Sequence, residues 1–482
     1  MTIKDLQPTA IWDYFSQICT IPRPSKHEDK VIAFLQQFAH KFNLQVITDK
    51  AGNVLIKKPA TTGYEMHPTV VLQAHMDMVC EKNADTTHNF NVDAIVPYID
   101  GEWVKARGTT LGADNGIGMA AQLAVLAATD LHHGPLECLF TVDEETGLTG
   151  AFALDKNLLT GSMLINLDSE DDGEFFIGCA GGIDTTVYFD YQPEAAPADL
   201  FYFKISVKGL LGGHSGDDIE KGRGNANKIL TRFLWQVAQD TELVLASFDG
   251  GNLRNAIARE AVALAAVPFA YKETLRASLN IFSADVEAEL AKTEPHLSIE
   301  LASTTMPEFI IDNMTSNKLL NALYACPHGV LRMSDDLPGL VETSTNLASV
   351  KMVDNNQILV TTSQRSSVES AKIDAARMVE SVFVLAGARA SHGDGYPGWK
   401  PNPDSKLARL TAETYENLFG IKAKIRAIHA GLECGLFLEK YPMLDMVSMG
   451  PTMRGVHSPD ERLHIAHTEK FWKLLVALLA AL

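Results

Sequence analysis

The run Thr69-Val70-Val71-Leu72-Gln73-Ala74-His75-Met76-Asp77-Met78-Val79 sets a histidine and an aspartate at the end of an apolar strand pattern. A strand that is apolar along its length and polar at its exit suits the buried interior of an α/β sheet, where loops after the carboxyl ends of strands converge on one crevice. Further potential metal ligands follow at comparable places. Asp114 sits in the turn Gly112-Ala113-Asp114-Asn115-Gly116 ahead of a helical pattern, and the pair Glu144-Glu145 follows the strand pattern of residues 136–142. Asp168 closes Met163-Leu164-Ile165-Asn166-Leu167, and His457 follows the strand pattern of residues 444–449. Such ligands reach one another only if these strands lie side by side.

The rest of the chain supports that arrangement. Helical spacing over residues 10–19 and 28–42 alternates with short apolar strands at 45–47, 54–56 and 69–72, and a helix rich in small residues is expected over 116–128. This rhythm predicts an α/β domain with a mixed sheet flanked by helices. Near residue 187 it changes. Phe201-Tyr202-Phe203-Lys204-Ile205-Ser206-Val207 alternates as a half-exposed antiparallel strand does, and similar strands are expected at 297–302 and 358–362. The expected division is a first domain of residues 1–186 and 387–482, interrupted by an inserted α+β domain of residues 187–386. The segment Gly393-Asp394-Gly395-Tyr396-Pro397-Gly398-Trp399 reads as the loop re-entering the first domain.

At 482 residues the chain has room for more than one core. Its net charge of −19 argues against a nucleic-acid or anionic-membrane partner, which would call for clustered Lys and Arg. The six cysteines are scattered and contain no C-x-x-C pair, so they read as thiols of a reducing compartment. The start lacks the layout of a signal peptide, and the final apolar run is too short to span a bilayer. A cytoplasmic location is the expectation.

Two imidazoles with several carboxylates suit a two-zinc hydrolase, in which a bridging carboxylate joins ions that each take about two more N or O ligands. His75 would bind through one ring nitrogen while Asp77 holds the other and sets tautomer and basicity. Asp114, in its tight turn, suits the bridge. Glu144 and Glu145 are adjacent and cannot play the same part. One can ligate while the other takes a proton from water.

These residues resemble the M20 metallopeptidases. The strings Thr109-Thr110-Leu111-Gly112-Ala113-Asp114-Asn115-Gly116, Asp143-Glu144-Glu145-Thr146-Gly147, Gly212-Gly213-His214-Ser215-Gly216 and Ala430-Gly431-Leu432-Glu433-Cys434-Gly435 are similar to the aminoacyl-histidine (Xaa-His) dipeptidase branch. The resemblance spans essentially the whole chain. It implies a catalytic domain with an inserted lid, a hinge between them, and a homodimer formed through the lid. One zinc would be held by His75, Asp114 and Asp168, and a second by Asp114, Glu145 and His457, with Co2+ or Mn2+ as possible substitutes. Glu144 becomes the general base and Asp77 the partner of His75; the Asp114-Asn115 peptide bond would be cis.

In the lid, the resemblance makes His214 a donor to the tetrahedral oxyanion and Arg365 the grip on a substrate carboxylate, with Asn255 and Gly431 on the substrate backbone. The implied substrates are Xaa-His and other dipeptides, including β-alanyl-histidine. An aspartate at 168 fits dipeptidase-type members. An N-acyl-amino-acid amidohydrolase and a non-catalytic peptide-binding homologue are the alternatives.

Overall fold

A computed structural model describes residues 2–482, which fall into two compact units. The first comprises residues up to Gly178, Trp399–Ala427 and Leu432–Leu482; the second comprises Cys179–Gly398 and Ile428–Gly431.

The first unit is built on an eight-stranded sheet. Its strand order is Gln45–Thr48, Val54–Lys58, Leu136–Thr141, Val70–His75, Met163–Asn166, Asp445–Ser448, Glu174–Cys179 and Lys424–Ile428. Val70–His75 runs parallel to both Leu136–Thr141 and Met163–Asn166, and Asp445–Ser448 runs parallel to Met163–Asn166. The outer pairs are antiparallel, so the sheet is mixed. Every residue of Val70–His75 and of Leu136–Thr141 is buried. That follows from the β-branched and apolar side chains they turn to both faces. Parallel neighbours also bring their carboxyl ends to the same edge, which is why His75, Glu144 and Asp168 emerge together.

Against this sheet packs Ala113–Ala127, whose Ala and Gly residues allow close approach; apart from Asp114 and the terminal Ala127 every residue of it is buried. Asp114 and Asn115 have non-helical backbone angles, so the regular helix begins after them, and the Asp114-Asn115 bond is cis. The helix Thr9–Cys19 lies on the same helix. A four-stranded antiparallel sheet, ordered Met453–Arg454, Arg462–His464, Trp103–Ala106 and Pro97–Asp100, carries the loop with His457. The carboxyl-terminal helix is Ile465–Ala481, and no helix among the described residues is long and apolar enough to cross a membrane.

The second unit holds a nine-stranded antiparallel sheet, ordered Ser298–Ser303, Leu200–Lys208, Ala261–Pro268, Val244–Gly250, Val341–Val353, Gln357–Ser366, Gly181–Asp190 and Arg389–His392, with Gly329–Met333 paired beside Val341–Val353. Alternation along Gly181–Asp190 sends Val187 and Phe189 into a core shared with Phe203, Phe233, Phe248 and Phe383. The helices Ala226–Asp240, Lys272–Leu290 and Asn313–Ala325 pack there. Asn225 starts the first by accepting from the amides of Asn227 and Lys228, and Asp312 starts the last by accepting from Thr315.

Candidate metal centre

Seven of the residues singled out above meet at the carboxyl edge of the first unit's central strands. His75 ends the strand Val70–His75, and Glu144 opens a one-turn helix after Leu136–Thr141. Asp143, in the left-handed region at φ 51°, turns the chain between that strand and that helix. Asp168 lies two residues beyond Met163–Asn166.

The geometry centres on Asp114. Its Oδ1 is 3.1 Å from Nε2 of His75, and its Oδ2 is 3.1 Å from Nε2 of His457. The same nitrogen of His75 is 3.4 Å from Oδ1 of Asp168, and that of His457 is 3.1 Å from Oε2 of Glu145. Two sets of donors, His75/Asp114/Asp168 and Asp114/Glu145/His457, thus bring their ligand atoms within 4.8 Å of one another and share Asp114. Glu144 also stands in reach of His75 and Glu145.

Burial makes this crowding costly. It pushes the Glu144 carboxyl well above its ordinary range and Asp168 up to about 6, in both cases with help from neighbouring carboxylates. Burial opposes charge on His75, but Asp168, Asp114 and Asp77 outweigh it and raise the imidazole well above 6.5. Hydrogen bonds to Asp114 and Glu145 push His457 up to about 11.

The cluster is therefore starved of positive charge, and protons on the two imidazoles are its own means of supplying some. Glu145 Oε1 and Asp168 Oδ1 are moreover buried without a hydrogen-bond partner. Mixed N and O donors, orphaned acceptors and a carboxylate shared between two sets fit a pair of divalent cations.

Asp77 is fully buried and does not join either set. Its Oδ1 is 3.3 Å from Nδ1 of His75, which leaves Nε2 facing Asp114. It also accepts from the amides of Glu144 (3.0 Å) and Glu145 (3.2 Å) and from the Ser25 hydroxyl (2.8 Å). Burial works against its charge, but the His75 contact and these donors hold its carboxyl down at about 2.

Other supporting residues lie outside the candidate site residues read from the sequence. Glu461 is 2 % exposed, and its two oxygens accept from the amides of Leu111, Gly112, Ala113 and Asp114. Arg23, also buried, donates to the carbonyls of Met76, Asp77 and Gly112, tying the His75 and Asp114 loops together. Glu433 accepts from Gln73 (2.6 Å) and Thr141 (2.8 Å), and burial pushes it up to about 8. The position of Glu461, in the same loop as His457, is the one local signal. Arg23 between Pro22 and Pro24 offers none.

His214, Arg365, Asn255 and Gly431 belong to the second unit. His214 Nε2 is 3.4 Å from Arg365 Nη2, and the carbonyl of Asn255 accepts from the amide of Ser215 (2.8 Å). The Asn255 side chain is exposed. Gly431 lies against the ring of Tyr396, whose hydroxyl accepts from Arg365 (2.9 Å).

A mixed sheet that gathers two histidines and five acidic residues at one edge defines a metal-dependent hydrolase class of site. The chain belongs to peptidase family M20/M25/M40, which it matches over residues 71–481. It is 48% identical to the cytosol non-specific dipeptidase of Escherichia coli (strain K12) over 99% of this chain and 98% of that protein. The crystal structure of aminoacylhistidine dipeptidase from Vibrio alginolyticus superposes with a TM-score of 0.92 at 47% identity, covering 100% of this chain and 98% of that one. A tripeptidase from Staphylococcus aureus shares the fold at 17% identity, with a TM-score of 0.58 over 99% of this chain and 98% of that one.

Proposed function

We propose that this chain is a cytoplasmic dinuclear zinc dipeptidase acting on Xaa-His and other dipeptides. The observation that carries the reading is the split of one carboxylate, Asp114, between two histidine-bearing donor sets. The names of its relatives, a non-specific dipeptidase and an aminoacylhistidine dipeptidase, support the substrate class.

In this reading His75, Asp114 and Asp168 hold one zinc, and Asp114, Glu145 and His457 the other. When bound, such ions acidify water and polarise the scissile carbonyl. Glu144, already inclined to hold a proton by its burial, takes one from the attacking water and returns it to the leaving amine. Asp77 orients His75 and, through the two amides it accepts, the start of the helix bearing Glu144 and Glu145.

His214 serves as oxyanion donor and Arg365 as the grip on the terminal carboxylate, with Asn255 and Gly431 on the substrate backbone. The active form is a homodimer assembled through the second unit, which acts as a lid.

Steady-state hydrolysis of a panel tests the reading: Xaa-His dipeptides, other dipeptides, a tripeptide and an N-acyl amino acid. Turnover of dipeptides well above the tripeptide and the N-acyl compound is expected. Cleavage of the N-acyl amino acid alone would replace this function with an amidohydrolase.

A further inference from the structure

His214 sits in the turn Gly212-Gly213-His214-Ser215-Gly216, and its Nδ1 accepts from the amides of Gly216 (3.3 Å) and Asp217 (3.2 Å). A ring nitrogen that accepts two amide protons carries none of its own, so in the neutral ring the proton lies on Nε2. Burial and the neighbouring Arg365 favour that neutral form by drawing the imidazole below its ordinary value. Nε2 is then a donor, 3.4 Å from Nη2 of Arg365, which can only donate. Two donors at that separation make no bond with each other. They converge on an acceptor supplied from outside the pair.

Arg365 shows the same excess. It is 7 % exposed, and its hydrogen-bond partners are both uncharged, Ser215 Oγ at 3.4 Å and Tyr396 Oη at 2.9 Å, while the neutral His214 ring only lies beside it. A buried guanidinium surrounded by neutral groups is costly unless an anion completes it.

Tyr396 is placed to take part. Its oxygen accepts from Arg365 Nη1, so its own proton points elsewhere. Its backbone pairs with Gly182 in both directions, and its carbonyl accepts from Lys372 Nζ at 2.7 Å. The ring lies between Gly182 and Gly431, where an added Cβ would come within 2.8 Å of ring carbons on either side. Two glycines are thus needed for the phenol to sit where it does, and its position is set before any ligand arrives.

We infer that Tyr396 is a further substrate-binding residue, whose phenolic proton and the Arg365 guanidinium together hold the α-carboxylate of a dipeptide. This rests on the dipeptidase reading. The planar carboxylate offers two oxygens, which suits a guanidinium and a hydroxyl side by side. The same construction gives Gly431 a definite role, that of leaving room for the Tyr396 ring.

Kinetics of Tyr396→Phe on a dipeptide, with the C-terminal amide of that dipeptide as competitive inhibitor, test the inference. The ring is kept, and a thermal midpoint equal to wild type checks the fold. KM is expected to rise about tenfold with kcat within about twofold, the loss typical of one hydrogen bond to a charged group. The amide is expected to inhibit wild type and variant equally. An unchanged KM, a fall in kcat at constant KM, or an amide inhibition constant that shifts in parallel with KM would overturn the inference. A wild-type enzyme that cleaves no dipeptide would instead remove the reading beneath it.

Discussion

The acidic cluster of the first unit and the basic cluster of the second are both buried polar sites with unbalanced hydrogen bonding, and they are unbalanced in opposite senses. Around Asp114 acceptors outnumber donors: Glu145 and Asp168 keep buried oxygens without partners, and Nε2 of each imidazole faces two carboxylates. Around Arg365 donors outnumber acceptors, since the guanidinium and the His214 Nε2–H face each other. The surroundings differ as well. The first cluster is braced from below by Asp77, Glu461 and Arg23, while in the second His214 and Asp217 are partly exposed at a glycine-rich turn. A resident ion calls for the first kind of construction, and a ligand that comes and goes calls for the second.

Glu144→Gln should break the comparison most sharply. The acidic cluster keeps its donor sets while losing the proton acceptor, so kcat on dipeptides is expected to fall about 10²- to 10⁴-fold with metal content unchanged. Retained turnover would remove Glu144 from the mechanism.

Glu461→Gln probes the bracing. The amide retains one acceptor oxygen for four backbone donors, which is expected to cost roughly 3 kcal/mol in chemical denaturation. A change below about 0.5 kcal/mol would mean that the loop of Asp114 holds its shape unaided.

The smallest effect is a pH dependence confined to the second unit. His429 accepts from or donates to the Ser344 hydroxyl at 2.7 Å, and burial, with Arg365 and His214 nearby, draws its imidazole from 6.5 down to about 3. The unfolded chain therefore binds this proton first as pH falls. Stability is full above about 6.5 and is lost progressively towards 3, by about 2 kcal/mol at pH 5. His429→Gln should flatten the denaturation midpoint between pH 7 and 5 relative to wild type; an unchanged slope would show that other groups carry it.

The two clusters also differ in how far the residues announced them. His75, Asp114, Glu144 and Asp168 each sit at the exit of an apolar strand or the start of a helix, so local pattern and strand adjacency suffice to bring them together. The parallel pairing of Val70–His75 with both neighbours follows from the same apolar runs. Glu461 and Arg23 were not legible, because they act on backbone amides and carbonyls, which leave no mark in side-chain type.

Pro97–Asp100 and Trp103–Ala106 were missed for another reason: two four-residue strands joined through Gly101 present too little alternation to stand out. Tyr396 lay in a segment that reads only as a connection. Its importance comes from Gly182 and Gly431, far away in sequence, which give it room.

Titration of the metal-stripped chain with Zn2+, followed by calorimetry and metal analysis, tests the central claim most directly. Two ions per chain, falling to at most one in Asp114→Ala and with dipeptide hydrolysis restored only by metal, is the predicted result. A single ion per chain, or two that survive the loss of Asp114, would contradict a centre bridged by that carboxylate.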